Sequence, residues 1–255
     1  MSGLQQYLRL FDEQRALIDG NSCAPLNAHR DDARRFLSGV DLPNRKTERY
    51  KYTNASAIFA DEYHSDFTRT LDRLRPGDDR GCAVPNLATV PVHVINDVVV
   101  PLADDVELPE GVHLLSLCRA AAEHPEWLER YYDRAAHHEP ANQHKHADRE
   151  ERDVVTRLNT LFAQDGLLIH VAAGVQMERT VQIVLRSRAA VDLLSHRRLL
   201  IVAEAGASVN VLVCEHADGT HRYLTTQVTE IYAAEDAAVS VYTLEETREG
   251  NHRFS

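Results

Sequence analysis

A repeat in the last third of the sequence constrains the fold more than any other feature. The apolar triplets 167–169 and 199–201 lie 32 positions apart, and Gly174 and Gly206, which follow them, share that offset. A third unit lies 30 positions further on and has Asp236 where the second unit has Gly206. After each of these turns the apolar residues alternate with a period of two, over 180–185, 209–213 and 239–244.

Each repeat unit is predicted to be a strand, a small-residue turn, a second strand and a connector. Such a unit cannot bury both of its faces alone, and stacked units supply the missing neighbours. The near-constant spacing favours a β-solenoid, with the successive hairpins of a jelly roll as the alternative. The sequence reaches Ser255 directly after a repeat strand, so we expect an unpaired strand edge. Either another chain covers that edge or the sequence is a piece of a longer protein.

The first part of the sequence has a helical pattern, apart from one hairpin. One helical face carries Leu4, Tyr7, Leu8, Phe11 and Ile18, and a second apolar stripe runs over 154–162. Asn27 is placed to cap a helix that ends at Gly39. Asn96-Asp97, between two valine-rich runs, predicts a β-hairpin. We therefore predict an α+β protein, with a mainly helical region and a small hairpin over 1–165 and the first rungs of an incomplete solenoid over 166–255.

Charge and cysteine content exclude several classes of protein. The chain has 28 Lys and Arg against 39 Asp and Glu, a net charge of −11, which argues against sequence-independent binding of nucleic acid. No apolar run approaches the ~18 residues of a membrane span. The closest two of the four cysteines are 36 positions apart, so no CxxC pair exists. With no signal-peptide pattern, we expect a cytoplasmic protein whose cysteines are buried, reduced thiols.

Three segments resemble a known family. Residues 42–53, LPNRKTERYKYT, resemble a segment near the N-terminus of the SufD proteins, with Tyr50 where that family usually has Trp. Residues 158–160, followed by Asp165-Gly166, are similar to the family's LNTAF…DG segment before its β-helix. The repeat register, including 198–202 and 233–238, is similar as well.

The resemblance implies a fold and a function. SufD proteins are subunits of the SufBCD complex, a scaffold for iron–sulfur cluster assembly, and have a helical N-terminal region, a right-handed parallel β-helix and C-terminal helices. The family's contacts with SufB, its helices that bind the ATPase SufC, and its proposed cluster ligands lie in later parts of the chain. The resemblance therefore implies an N-terminal portion of a non-catalytic scaffold subunit, with no cofactor in this segment and the cluster handled by the full complex. SufB-like and SufC-like partners are implied, and a homodimer stays open.

A histidine cluster supplies the alternative function. His137, His138, His144 and His146 lie within ten positions, and neutral imidazoles are common metal ligands. His144 and His146, followed by Glu150, match the HxH-x₃-E core of a cupin metal motif, which predicts a metal-dependent cupin-like enzyme. The motif needs strand context and flanking glycines, whereas here a helical stripe follows it. A solvated connector is therefore the simpler interpretation.

The remaining candidates are interpreted structurally. His170 takes the place that Val202 has in the next repeat, and we expect a packed histidine rather than a ligand. Cys214 and Glu215 must point to opposite faces of a strand, so a structural thiol is favoured over a sulfur-handling one. The basic stretch 45–51 suggests a partner-docking segment or an intramolecular clamp. No P-loop, dinucleotide fingerprint, GxSxG or HExxH motif occurs, as expected of a scaffold.

Overall fold

The computed structural model describes residues 3–69, 82, 84–103, 105–137 and 153–255, with only the backbone of His137. The α-helices are α1 Gly3–Gly20, α2 Ala24–Asn27, α3 Arg30–Leu37, α4 Ala55–Ile58, α5 Leu117–Glu123, α6 Pro125–Tyr131 and α7 Val154–Phe162. Short 3₁₀ helices span Glu48–Tyr50 and Ala135–His137. None of the helices in these described ranges is long and apolar enough to cross a bilayer.

The strands form two sheets that are mostly parallel. The strands are β1 Thr89–Ile95, β2 Val98–Val99, β3 Val112–Ser116, β4 Leu167–Val171, β5 Thr180–Ser187, β6 Leu193–Ala203, β7 Ser208–Ala217, β8 Tyr223–Ala233, β9 Ala238–Glu246 and β10 His252–Phe254. The first sheet has the order β2-β1-β5-β7-β9 and the second β10-β8-β6-β4-β3. From β4 onward, successive strands alternate between the sheets, and from β6 onward each strand pairs with the one two places before it. The pairing is parallel, which excludes the successive antiparallel hairpins of a jelly roll.

The repeat offsets are the registers of the strands. Leu167 lies opposite Leu199, the predicted offset of 32, and Val209 lies opposite Val239, the offset of 30. The aligned turn residues Gly174, Gly206 and Asp236 all have positive φ, at 74°, 67° and 58°. The turns also stack, because the backbone N–H of each glycine donates to a carbonyl of the next turn, at 2.8 and 2.9 Å. The predicted offsets and turn positions of the repeat are therefore confirmed, and the structure adds the left-handed conformation of the turns.

Strands that precede residue 166 belong to the same two sheets. The hairpin at Asn96-Asp97 is confirmed, with β1 and β2 antiparallel. β1 also pairs in parallel with β5 over its whole length, and β3 pairs antiparallel with β4. The hairpin is thus an integral part of the first sheet. The boundary predicted between 1–165 and 166–255 stays a prediction.

Three apolar clusters hold these layers together. The facing sides of the two sheets pack aliphatic side chains such as Val92, Ile183 and Ile201. Helices α1, α3 and α7 form a second cluster around Phe11 and Phe162, confirming the predicted apolar face of α1. Helices α5 and α6 cover the outer face of β4 and β6 in a third cluster. The outer side of the second sheet is consequently buried under helices.

The predicted capping role of Asn27 is wrong. Asn27 is the last residue of the short helix α2, whose first turn contains Pro25, and α3 begins only at Arg30. The Asn27 amide donates to the carbonyl of Asp19 and accepts from Arg30 Nε at 3.1 Å. These tertiary contacts occupy the amide that the local pattern assigned to a helix N-terminus.

Candidate functional site

The end strand of the first sheet exposes apolar side chains. Tyr242 and Leu244 of β9 are 61% and 50% exposed, whereas their partners on β7, Leu212 and Cys214, are 7% and 3% exposed. Side chains at the equivalent positions of the neighbouring strand β7 are therefore buried. An end strand carries backbone N–H and C=O groups without ladder partners on one side, which is a template for a further strand. Exposed apolar residues in a row also mark interaction surfaces.

A buried ionic network lies between the sheets, next to this edge. Glu215 of β7 accepts from Arg197 Nη1 at 2.7 Å and from Arg253 Nη1 at 2.8 Å. Arg253 also pairs with the partly exposed Glu245 of β9. Burial acts to raise the pKa of Glu215, but the two guanidinium groups outweigh it and hold that pKa below its ordinary value. A cavity of about 180 Å³ opens beside these residues, and the network supplies part of its polar lining at the exposed edge.

A second buried network fixes the turn after α6 to the second sheet. Arg198 Nη2 donates to Asp133 Oδ1 at 2.7 Å, and Arg198 Nη1 lies 3.4 Å from Glu230 Oε2. Glu230 also accepts from the backbone N–H of Asp133 at 2.9 Å and of Ala136 at 3.1 Å. Because all of these partners are charged or hydrogen-bonded, the network holds the turn rigidly against β8. We interpret it as structural.

Comparison with known families identifies the chain. Residues 1–183 match the family described as "SufBD protein N-terminal region". Residues 185–255 match "SUF system FeS cluster assembly, SufBD core domain". The chain belongs to the SufB/SufD family. Both descriptions cover SufB and SufD together, and they support a role in iron–sulfur cluster assembly. No match is found among curated proteins.

The histidine cluster of this SufB/SufD chain falls mostly outside the described residues. Only the backbone of His137 is described, at the end of a 3₁₀ helix. His138, His144, His146 and Glu150 lie outside the described ranges, so both the metal site and the cupin-like arrangement stay predictions. Within the described part of the chain, no group of three or more His, Cys, Asp or Glu side chains is arranged to hold a metal ion.

The basic stretch of the family segment makes intramolecular contacts. Tyr50 OH donates to Asp153 Oδ1 at 2.8 Å, and Arg49 Nη2 lies 3.8 Å from the other oxygen of that carboxylate. Asp153 in turn caps α7 by accepting from the backbone N–H groups of Val155 and Thr156. Burial and the neighbouring carboxylate raise the pKa of Tyr50 above its ordinary value. Arg49 and Tyr50 therefore make the contacts expected of an intramolecular clamp.

His170 lies in an aromatic stack on the outer face of the second sheet. Its register opposite Val202 is as predicted. The rings of Trp127 and His170 are stacked 3.9 Å apart, and His124 stacks on the other face of Trp127 at 3.8 Å. Burial lowers the pKa of His170, with Glu204 3.5 Å from Nε2 opposing that effect. The ring is therefore held in its neutral form at neutral pH.

The cysteines lie closer together than the sequence suggests. Cys214 and Glu215 point to opposite faces of β7, as predicted, with Glu215 between the sheets and Cys214 on the outer face. Cys82 and Cys214 are buried, and Cys23 and Cys118 are partly exposed. A hydrogen bond between the latter two thiols lowers the pKa of Cys23 and raises that of Cys118. Sequence reasoning missed these pairs because the residues are distant in the chain and no local motif links them.

Proposed function

We propose that this chain is a SufD-type scaffold subunit in a SufBCD-type complex for iron–sulfur cluster assembly. The family match carries the proposal, and the resemblance of segment 42–53 to SufD proteins supports the SufD type. The subunit is non-catalytic and contributes surfaces rather than a reaction centre. A SufB-like subunit and a SufC-like ATPase are its partners, and the complex works in the cytoplasm. The cluster is the cargo of the complex and has no resident site in this segment.

The two sheets are proposed to be the first coils of a right-handed parallel β-helix. Strands that alternate between two sheets, each parallel to the strand two places earlier, support this geometry. The stacked turns at Gly174, Gly206 and Asp236 support it further, because each coil then repeats the backbone path of the coil before.

The exposed edge is the proposed direction of assembly. Further parallel strands of the same β-helix cover β9, and the coils beyond them pair edge to edge with the SufB-like partner. The exposed side chains of Val241, Tyr242 and Leu244 support this direction, since a covering coil would bury them. The same coil would enclose the cavity that Glu215 and Arg253 line.

The test is co-expression of the protein from its full reading frame with SufB-like and SufC-like subunits, followed by native mass measurement. We expect a stable assembly that contains all three chains. A protein that never co-purifies with either partner overturns the scaffold proposal.

Amide hydrogen exchange tests the proposed edge separately. In the assembly, we expect slow exchange of the outward backbone N–H groups of β9, and fast exchange in the isolated 255-residue chain. The amides of β7, which are inside the sheet in both cases, serve as the internal control. Fast exchange of β9 in an intact assembly would show that no further strand covers this edge.

A further inference from the structure

Two buried thiols meet on the outer face of the first sheet. Cys214 and Leu212 of β7 and Val184 of β5 form an apolar patch there, and Cys82, from the segment before β1, packs onto it. Gln182 Nε2 donates to the carbonyl of Cys82 at 2.5 Å and lies 3.6 Å from Cys214 Sγ. Both thiols belong to the same buried apolar cluster. Two cysteines more than a hundred positions apart in the chain thus pack together on one face of the sheet.

An imidazole and a carboxylate complete the group. His216 follows Cys214 by two positions and therefore lies on the same face of β7. His216 Nε2 lies 2.5 Å from Cys82 Sγ, and His216 Nδ1 lies 3.2 Å from Glu246 Oε2 of the neighbouring strand β9. With the Nδ1 proton donated to Glu246, Nε2 has a lone pair facing the thiol of Cys82. A nucleophile, a base and a group that orients the base stand in the order that thiol activation requires.

The environment keeps the Cys82 sulfur protonated unless a base accepts the proton. Burial raises the pKa of Cys82 to about 12, and the adjacent Cys214 adds to that effect. At neutral pH the Cys82 sulfur is therefore a thiol, and thiols react only after they lose the proton. His216 is the base in contact with that proton, and its partner Glu246 is largely exposed, so the proton has a route to solvent.

We propose that Cys82 and Cys214 form a redox site that a small peroxide converts to a disulfide, with His216 as the base. Cys82 transfers its proton to His216 Nε2 and attacks one peroxide oxygen; the O–O bond breaks, the sulfur is oxidised to a sulfenic acid, and water leaves when the peroxide is H₂O₂. The Cys214 sulfur then attacks the sulfenic sulfur, the S–O bond breaks, and a second water leaves. Two thiols and one H₂O₂ give one disulfide and two waters, so atoms and electrons balance.

The disulfide would change how Cys82 is held on the first sheet. In the reduced protein, a hydrogen bond from Gln182 of β5 and apolar contacts with β5 and β7 hold Cys82 in place. In the oxidised protein, a covalent bond closes a loop of about 130 residues, which restricts the unfolded chain and stabilises the fold. The redox state would therefore set how firmly Cys82 is fixed to the first sheet.

The test uses the 255-residue chain with Cys23→Ser and Cys118→Ser, which leaves only the two thiols of the site. We expect equimolar H₂O₂ to remove both thiols in a thiol titration, and non-reducing peptide mapping to recover a Cys82–Cys214 cross-linked peptide. His216→Gln in this background should slow the loss of thiols by about tenfold or more, since the base is removed. His221→Gln, a partly exposed histidine outside the site, is the matched control and should leave the rate unchanged.

Three results would overturn the proposal: two thiols that persist in excess peroxide, oxidation that stops at separate sulfenic or sulfinic acids, or equal rates in the His216→Gln and His221→Gln variants. If the double-serine background does not fold, the same peptide mapping is done on the wild-type chain. There, a Cys23–Cys118 peptide without a Cys82–Cys214 peptide contradicts the assignment.

Discussion

Arg197 of β6 and Glu215 of β7 face each other between the two sheets, with 2.7 Å from Nη1 to Oε1. Both side chains are buried, and the strands that carry them belong to different sheets. Arg197 Nη2 also donates to Ser187 Oγ at 2.9 Å, and Arg253 shares the carboxylate of Glu215. The pair therefore links the two sheets at the exposed end of their shared core. Its loss should lower the stability of the whole fold.

Removal of Glu215 should strongly destabilise the protein. Glu215→Ala leaves the buried guanidinium of Arg197 without its carboxylate, so we expect the free energy of unfolding to fall by about 3–5 kcal/mol. Urea denaturation measures this change. Glu245→Ala is the matched control, because Glu245 is half exposed and should contribute less than about 1 kcal/mol. Equal effects of the two variants would contradict the structural role of the buried pair.

Stability should depend on pH through His196. Burial, together with the nearby charge of Arg30, lowers the pKa of His196 from 6.5 to about 3. The ring stacks on Phe162 and is hydrogen-bonded to Thr226 Oγ1 at 2.8 Å. Below pH ~6.5 the unfolded chain binds a proton that the folded chain refuses, so stability falls as the pH falls.

The slope of the free energy of unfolding against pH measures this effect. Between pH ~6 and 5 we expect His196 to contribute a loss of stability of about 1.4 kcal/mol per pH unit. His196→Asn removes the titrating group and should lose that contribution, as measured by urea unfolding at several pH values. His64→Asn, which changes an exposed histidine, is the control. A parallel pH dependence of wild type and His196→Asn would show that His196 is not held neutral.

Gly166 should not tolerate a side chain. A Cβ at this position would lie 2.5 Å from both Cβ and the carbonyl oxygen of Arg198, so the backbone would have to move. We expect Gly166→Ala to lower the free energy of unfolding by about 1–3 kcal/mol. Gly20→Ala is the control, because a Cβ there meets no atom within 4 Å and alanine favours helix. Thermal denaturation of both variants separates the steric effect from the loss of glycine itself.

The contact between Tyr50 and Asp153 should be measurable as a coupling energy. Asp153→Ala removes the cap of α7, which should lower the free energy of unfolding by about 1–2 kcal/mol. Tyr50→Phe removes one hydrogen bond and should lower it by about 1 kcal/mol. The loss of stability in the double variant should be smaller than the sum of the losses in the two single variants, because both substitutions remove the same interaction. Full additivity would mean that the segment 42–53 does not clamp α7.

Much of the fold was readable from local pattern. The offsets of 32 and 30 predicted which residues lie opposite each other, since parallel strands of one face bury the same alternating side chains. The apolar faces of α1 and α7 followed from helical periodicity. Asn27 was misassigned because a cap is inferred from neighbours in sequence, whereas its amide bonds Asp19 and Arg30 in the fold.

The sequence by itself determined the repeat, its register, the positions of its small-residue turns and the family, because each depends on residues close in the chain or on one spacing. Only the tertiary structure decided that β1 pairs with β5, 91 positions away at Thr89 and Thr180, and that Cys82 meets His216, 134 positions away. Such contacts form where separate segments pack on one sheet face, and no periodicity in the intervening chain records them. The candidate redox site therefore follows from packing, while the scaffold on which it lies was readable in the sequence.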